Sequence, residues 1–254
     1  MPHGRVYGGQ VLAQSIVAAQ RTVEPERCAH SLHGYFLRPG NADEPLTFSV
    51  DRIHDGRSFS TRRTQAFQNG VPIFSMIASF EMESPGLEHQ VPMPEDVPGP
   101  ETLTSAGPSW DAVVSLDRQD AWERPVEHRH IPAEAYGAGT DEPVLRHAVW
   151  MRVPRRLPGD PALHRAALVY MTDMSIQETV LRAHGVSWAT PGLKLASLDH
   201  AMWWHRDGRV DDWVLYVQES PSARGGRGLT QGRIYSRDGV LLASVAQEVM
   251  VRVP

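Results

Sequence analysis

Three polar residues stand in apolar company. Asp173 follows the helix-like run Ala166 to Met171, Gln247 interrupts the strand-like run Val240 to Val251, and Ser197 heads a segment that ends at His205. A carboxylate or an amide is costly to bury unless hydrogen bonds satisfy it. Each residue also has an ordinary reading. Asp173 serves as a cap between helical turns, Gln247 faces outward from a strand, and Ser197 alone carries no information. They form a chemical site only if the fold gathers them. Stronger signatures are absent: the sequence has no Gly-x-Ser-x-Gly elbow, no Walker-type phosphate loop and no His-Glu-x-x-His. Two close pairs among the 12 histidines invite a metal reading. Period-two geometry puts His128 and His130 on one strand face and His30 and His33 on opposite faces, a pattern that half-exposed strands explain without a metal. Cys28 is the one cysteine, so neither an intrachain disulfide nor a cysteine zinc cluster can form; it reads as a small buried hydrophobe ahead of a strand.

The elements that would position these residues come in two similar halves. Six prolines between Ser84 and Pro108, with no sustained apolar period, mark a surface linker. Ahead of it, Gly8-Gly9-Gln10 opens a segment with Leu12, Ile16, Ala19 and Val23 at helical spacing. Strand-like stretches follow at Ser31 to Leu37, Leu46 to Val50, Ser58 to Phe67 and Val71 to Phe80, with Asn69-Gly70 as a hairpin signal. Behind the linker, Pro161 to Met171 has a helical pattern with Leu163, Ala166, Ala167 and Tyr170 on one side. Four more strand-like stretches follow, at Leu193 to His205, Trp213 to Glu219, Gly228 to Tyr235 and Val240 to Val251, and Asp238-Gly239 echoes Asn69-Gly70. Ser31-Leu32-His33 matches Ser197-Leu198-Asp199, and Ile73 to Ala78 matches Leu242 to Gln247. One helix and four antiparallel strands, given twice, predict an α+β chain in which a sheet wraps a central helix in duplicate. The division expected is residues 1–84 for a first unit, 85–121 for the linker and 122–254 for a second unit.

A chain of 254 residues with 41% hydrophobic and 22% charged residues can build a real core. Its net charge of -5 gives no electrostatic reason to expect nucleic acid or an anionic membrane as partner. No apolar run reaches membrane-spanning length, so membrane insertion is not expected either. With a single cysteine, the expected compartment is a reducing one, the cytoplasm. Lys194 is the only lysine, which reads as codon bias.

Six stretches in order resemble the type II acyl-CoA thioesterases across nearly the whole chain. They are Arg5-Val-Tyr-Gly-Gly-Gln-Val-Leu-Ala-Gln14, His30-Ser-Leu-His-Gly-Tyr-Phe-Leu-Arg-Pro-Gly40, Asp55-Gly-Arg-Ser-Phe59, Gly70-Val-Pro-Ile-Phe74, Asp199-His-Ala-Met-Trp203, and Asp238 to Ser244 running into Gln247-Glu248. The resemblance implies a double hotdog that hydrolyses medium- to long-chain fatty acyl-CoA, with no cofactor and no metal. Its catalytic Asp, Thr or Ser, and Gln fall by motif position on Asp173, Ser197 and Gln247. Asp173 would take a proton from water, Gln247 would hold that water or the thioester oxygen, and the Ser197 hydroxyl would both accept from and donate to the same water. A glycine-opened helix N-terminus suits an oxyanion, which assigns backbone donors to Gly9 and Gln10. His30 matches a position sometimes considered functional, against a structural hydrogen bond. Arg224 and Arg227 suit the phosphates of CoA, against a solvated loop. Gly159-Asp160-Pro161-Ala162-Leu163-His164 faintly echoes hotdog enoyl-CoA hydratases, which makes a hydratase or dehydratase through Asp160 and His164 the rival enzyme. Without the Asn-Pro core of that signature, Asp160 reads as a helix N-cap and His164 as a first-turn residue. A non-catalytic acyl-CoA-binding protein is the other rival. The family places a strand ahead of the first helix that this first unit lacks; either the true start lies upstream of Met1 or the first sheet has an open edge, and such an edge predicts a homodimer or larger assembly.

Overall fold

The computed structural model describes residues 4–103, 125–131, 145–188 and 190–254. The first half holds α1 (Gly8–Gln20), β1 (Arg27–Phe36), β2 (Thr47–Asp55), β3 (Phe59–Gln68) and β4 (Val71–Met82). The second half holds β5 (Glu127–His130), β6 (Arg146–Arg152), α2 (Pro161–Thr172), α3 (Glu178–Ala183), β7 (Lys194–Ser197), β8 (Asp199–Trp204), β9 (Val214–Arg224), β10 (Arg227–Ser236) and β11 (Leu241–Arg252). Among the described residues these strands make one antiparallel sheet in the order β2-β3-β4-β1-β8-β11-β10-β9-β6-β5, with β7 also paired to β11. The two halves meet at β1 and β8, where Ser31 lies opposite Trp203 and Tyr35 opposite Asp199. This is the expected helix-in-sheet unit given twice. No strand precedes α1 among the described residues, whereas β5 and β6 precede α2.

The helices lie side by side inside the curved sheet and run antiparallel, so the start of α1 meets the end of α2. The Tyr7 hydroxyl donates to the Tyr170 carbonyl at 2.7 Å, and the two rings meet edge to face. Val11, Leu12, Ile16 and Ala19 of α1 are buried in one core with Leu32, Phe74 and Phe80 of their own half and Met171, Met202 and Val245 of the other. In α2 the buried set is His164, Ala166, Leu168, Val169, Met171 and Thr172, not the expected stripe from Leu163 to Tyr170. This helix has α1 on one side and sheet on the other, so burial reaches most of its circumference. Asp160 caps α2 by accepting from Ala162 N–H at 3.0 Å, as expected.

The described part of the Pro-rich segment does not merely cross solvent. Met93, Val97 and Leu103 cover a second cluster of Trp150, Trp213, Leu215 and Tyr235 on the outer face of the sheet. Backbone carbonyls of Pro92, Pro98 and Pro100, all within that segment, accept from Tyr235, Trp150 and Arg129. Residues 104–121 of the expected linker lie outside the described residues. Asn69 and Gly70 adopt φ of 49° and 76°, the left-handed pair of a tight hairpin. At the echoing turn only Gly239 does so, at 82°. A β-bulge at His30 shifts the register of β1 on β4 and turns His30 onto Ser79 of the outer face, which also carries His33 against Trp203. The expected opposite faces for His30 and His33 are thereby corrected. No described helix is long and apolar enough to cross a membrane.

Candidate active site

The three polar residues meet. Asp173 is the C-cap of α2, Ser197 ends β7, and Gln247 points inward from β11 between the buried Val245 and Val249. Ser197 Oγ donates to Asp173 Oδ1 at 2.8 Å, and Gln247 Nε2 donates to the same oxygen and to Ser197 Oγ, both at 2.9 Å. The outward-facing reading of Gln247 is overturned: the residue is 0% exposed and its neighbours on that face are core.

Two residues that the sequence reading did not single out complete the group. Gln177, just ahead of α3, donates from Nε2 to Ser197 Oγ at 2.7 Å. His200 on β8 is fully buried, with Nδ1 at 2.5 Å from Gln247 Oε1 and Nε2 at 3.1 Å from Thr172 Oγ1. His200 lay inside a motif already quoted, and its inward direction follows from strand alternation with the buried Met202. Gln177 left no comparable signal, because it sits in an irregular turn.

The start of α1 reaches Asp173 from the other half of the chain. The Gly9 N–H bonds to the Asp173 carboxylate, and the positive end of the helix dipole faces it. A Cβ on Gly8 would lie 2.5 Å from Asp173 Oδ2, and one on Gly9 would lie 2.4 Å from the Tyr170 carbonyl oxygen. The paired glycines are what let the helix come this close. Burial pushes the Asp173 carboxyl above its ordinary value, and His200, Gln247, Ser197 and Gly9 pull back against it. Burial likewise holds the His200 imidazole below its ordinary value.

Counting donors and acceptors shows what remains open. Both N–H bonds of Gln247 are taken, and Ser197 Oγ gives its proton to Asp173 while accepting twice. The Asp173 carboxylate, with roughly four acceptor positions, has three filled by Ser197, Gln247 and Gly9. Its remaining lone pair is the unfilled acceptor of the trio on the cavity side. Asp173, Ser197 and Gln177 line a cavity of about 460 Å³, while Gln247 stands behind them. Phe36, Ile73, Phe74, Met174 and Leu195 make its wall apolar, and Arg5 and Arg38 bring cations to it.

The other expected site residues fall elsewhere. Gly9 directs its N–H toward Asp173, at the site itself, whereas Gln10 N–H bonds to the Tyr7 carbonyl at 3.1 Å, so of the two donors read for an oxyanion Gln10's is already taken. His30 bonds to Ser79 at 2.8 Å, the structural alternative. Arg224 and Arg227 lie across from each other on β9 and β10 outside the cavity wall, and Arg227 pairs with Glu248 at 2.9 Å. His164 is buried with Nε2 at 3.0 Å from the Pro158 carbonyl and Nδ1 accepting from Val210 N–H, which leaves no ring nitrogen for a hydratase. Cys28 is half-buried and not fully so, and burial pushes its thiol up, away from the reactive thiolate.

His130, His147 and Glu178 are the described residues grouped closely enough to hold a metal. His130 Nδ1 and His147 Nε2 are 3.0 Å apart, with ring centroids at 5.2 Å and planes within 17°. Those values set the rings nearly nitrogen to nitrogen in one plane, the geometry of an N–H···N bond and not of lone pairs converging on an ion. Glu178 is engaged by Arg182 at 3.2 Å.

Comparison with known proteins adds the following. The family profile described as acyl-CoA thioesterase matches residues 115–250, and that of the acyl-CoA thioesterase N-terminal domain matches residues 1–81. Acyl-CoA thioesterase 2 of Haemophilus influenzae is 35% identical over 98% of this chain and 88% of its own length. Acyl-coenzyme A thioesterase 8 of Homo sapiens is 36% identical over 100% of this chain and 82% of its own. The crystal structure of acyl-CoA thioesterase II TesB2 from Mycobacterium marinum superposes with a TM-score of 0.84 at 42% identity, covering 98% of this chain and 90% of that one.

Proposed function

The chain belongs to the acyl-CoA thioesterase family, and from that membership we propose that it hydrolyses medium- to long-chain fatty acyl-CoA at the Asp173 cluster. One observation carries the reading: a carboxylate with a single unfilled acceptor position stands at the wall of an apolar cavity of ligand-binding size. The acyl chain lies along Phe36, Phe74 and Leu195, with the thioester carbonyl carbon beside Asp173. A water bonded to the open lone pair of Asp173 gives up a proton to it while attacking that carbon, and the CoA thiolate leaves. Raising the Asp173 pKa toward neutrality makes it a better base, because proton affinity then approaches the working pH. Ser197, Gln177 and Gln247 keep the carboxylate aimed at the cavity. Arg5 and Arg38, exposed at the cavity, suit the phosphates of CoA better than Arg224 and Arg227 do. CoA enters as part of the substrate, and no cofactor is invoked.

The same reading takes the chain as a cytoplasmic homo-oligomer. Its support is the exposed apolar set Tyr35, Ile77 and Trp203 on the outer face of the sheet at the β4-β1-β8 junction.

Release of free thiol from octanoyl- and palmitoyl-CoA tests the proposal. Wild type turns over, and Asp173→Asn loses about 100- to 10,000-fold in kcat, the range a general base is worth. Binding of acyl-CoA without turnover by wild type would instead support a carrier, and undiminished turnover by the variant would remove Asp173 from the chemistry.

A further inference from the structure

Gln247 can orient Asp173 and Ser197 only if its amide faces one way, and the Asp173 carboxylate already disfavours the other. With the amide reversed, its oxygen would stand 2.9 Å from the Asp173 carboxylate, acceptor against acceptor. In the orientation that works, Oε1 turns away into the core, where burial demands a donor. The His200 ring supplies it at 2.5 Å.

We propose that His200 is the positioning residue of this site, holding its proton on Nδ1 so that Gln247 presents both amide N–H bonds to Asp173 and Ser197. This rests on the thioesterase reading above only where turnover is the readout. The chain of donors then runs in one direction: His200 Nδ1–H to Gln247 Oε1, Gln247 Nε2–H to Asp173 and Ser197, and Ser197 Oγ–H to Asp173. Hydrogen bonds aligned head to tail polarise one another. The other ring nitrogen is compatible with that placement: Thr172 Oγ1, which bonds to the Val169 carbonyl at 2.8 Å, lies 3.1 Å from Nε2 and can turn its hydroxyl proton to either acceptor. Burial draws the imidazole toward its neutral form against the opposing pull of Asp173, and in that form the ring's one proton belongs on the nitrogen that faces Gln247. His200 touches neither the cavity nor any reacting atom; it acts through Gln247.

Two measurements on the full chain test this. Long-range proton–nitrogen correlation spectra of the histidine rings read the tautomer directly, whatever the activity. The expected result is a neutral Nδ1–H form for His200, and an Nε2–H form overturns the proposal. Kinetics of His200→Asn, His200→Gln and His200→Ala form the second arm. An Asn amide nitrogen takes the place of Nδ1, whereas a Gln amide nitrogen takes that of Nε2. His200→Asn keeps kcat within about threefold, and His200→Gln and His200→Ala lose about 10- to 100-fold, equivalent to about 1.4–2.7 kcal/mol in the barrier. KM stays within about twofold throughout, because the cavity wall is untouched. Equal loss in His200→Asn and His200→Gln, at matched melting temperatures, would refute a role through Nδ1. An Nδ1–H tautomer in a wild type that does not turn over would leave the positioning intact and remove the thioesterase reading.

Discussion

Replacing Gly9 by Ala tests whether close approach of the two helices is what readies Asp173. A Cβ built there sits 2.4 Å from the Tyr170 carbonyl oxygen and 2.6 Å from the Tyr7 ring, where ordinary contact begins at 3.4 Å. Neither neighbour can give way cheaply. The oxygen belongs to the backbone of α2, and the Tyr7 ring is pinned by its own hydrogen bond to that same oxygen. The start of α1 must therefore retreat by about 1 Å, taking the Gly9 N–H with it. Overpacking of this kind costs about 1–3 kcal/mol, and for a chain of this size each ~1 kcal/mol lowers Tm by roughly 2–4 °C. The chemistry suffers separately, since a 1 Å displacement in a positioned group can cost about 100-fold. It also leaves a signature. Asp173 loses a donor that lowers its pKa, so the acid limb of kcat/KM moves to higher pH. A calorimetric melt and a pH–rate profile of Gly9→Ala measure all three effects. A variant with unchanged Tm and an unmoved acid limb would show that the Gly9 N–H does not support the carboxylate.

Asp173→Asn should raise Tm at neutral pH even as its kcat falls by about 100- to 10,000-fold. Burial lifts the folded pKa above the free value of 3.8, so the stability tied to this group is full below 3.8 and lost as pH rises through the folded pKa. Melts across pH check the sign: the variant's advantage should vanish in acid, and a variant less stable at neutral pH refutes it. Arg38→Ala should raise KM for acyl-CoA about threefold to tenfold with kcat little changed, and equal loss for a substrate analogue lacking the nucleotide would deny a phosphate contact.

The repeat made the fold legible. Period-two runs and matching echoes separate the helices from the strands of both halves, because each half buries one face on its own helix. The motif order in turn picked out Asp173, Ser197 and Gln247. What the sequence hid is what depends on contacts between distant residues. That the Gly9 N–H faces Asp173 of the other half is invisible while α1 is considered alone. Arg227 suits a phosphate until Glu248, 21 positions away, is seen to hold it. The bulge at His30 is a one-residue register shift that alternation cannot anticipate. Gln177 sits in a turn with no period at all.

Antiparallel packing of α1 against α2 gives the molecule two helix-end meeting points, related by an approximate twofold, and only one of them carries the polar cluster. At the other, the place of Asp173 belongs to Arg21, the C-cap of α1, and the glycine-opened start is replaced by Asp160 and Pro161. The echo of Ser197 is Ser31, but the echo of Gln247 is Ala78. Two identical units would carry two equal centres, each needing both partners, so neither could change without changing both. In one continuous chain the halves can differ: the first gives the helix start and the second holds the carboxylate. One polar centre per pair of helix-in-sheet units is thus set by the sequence itself.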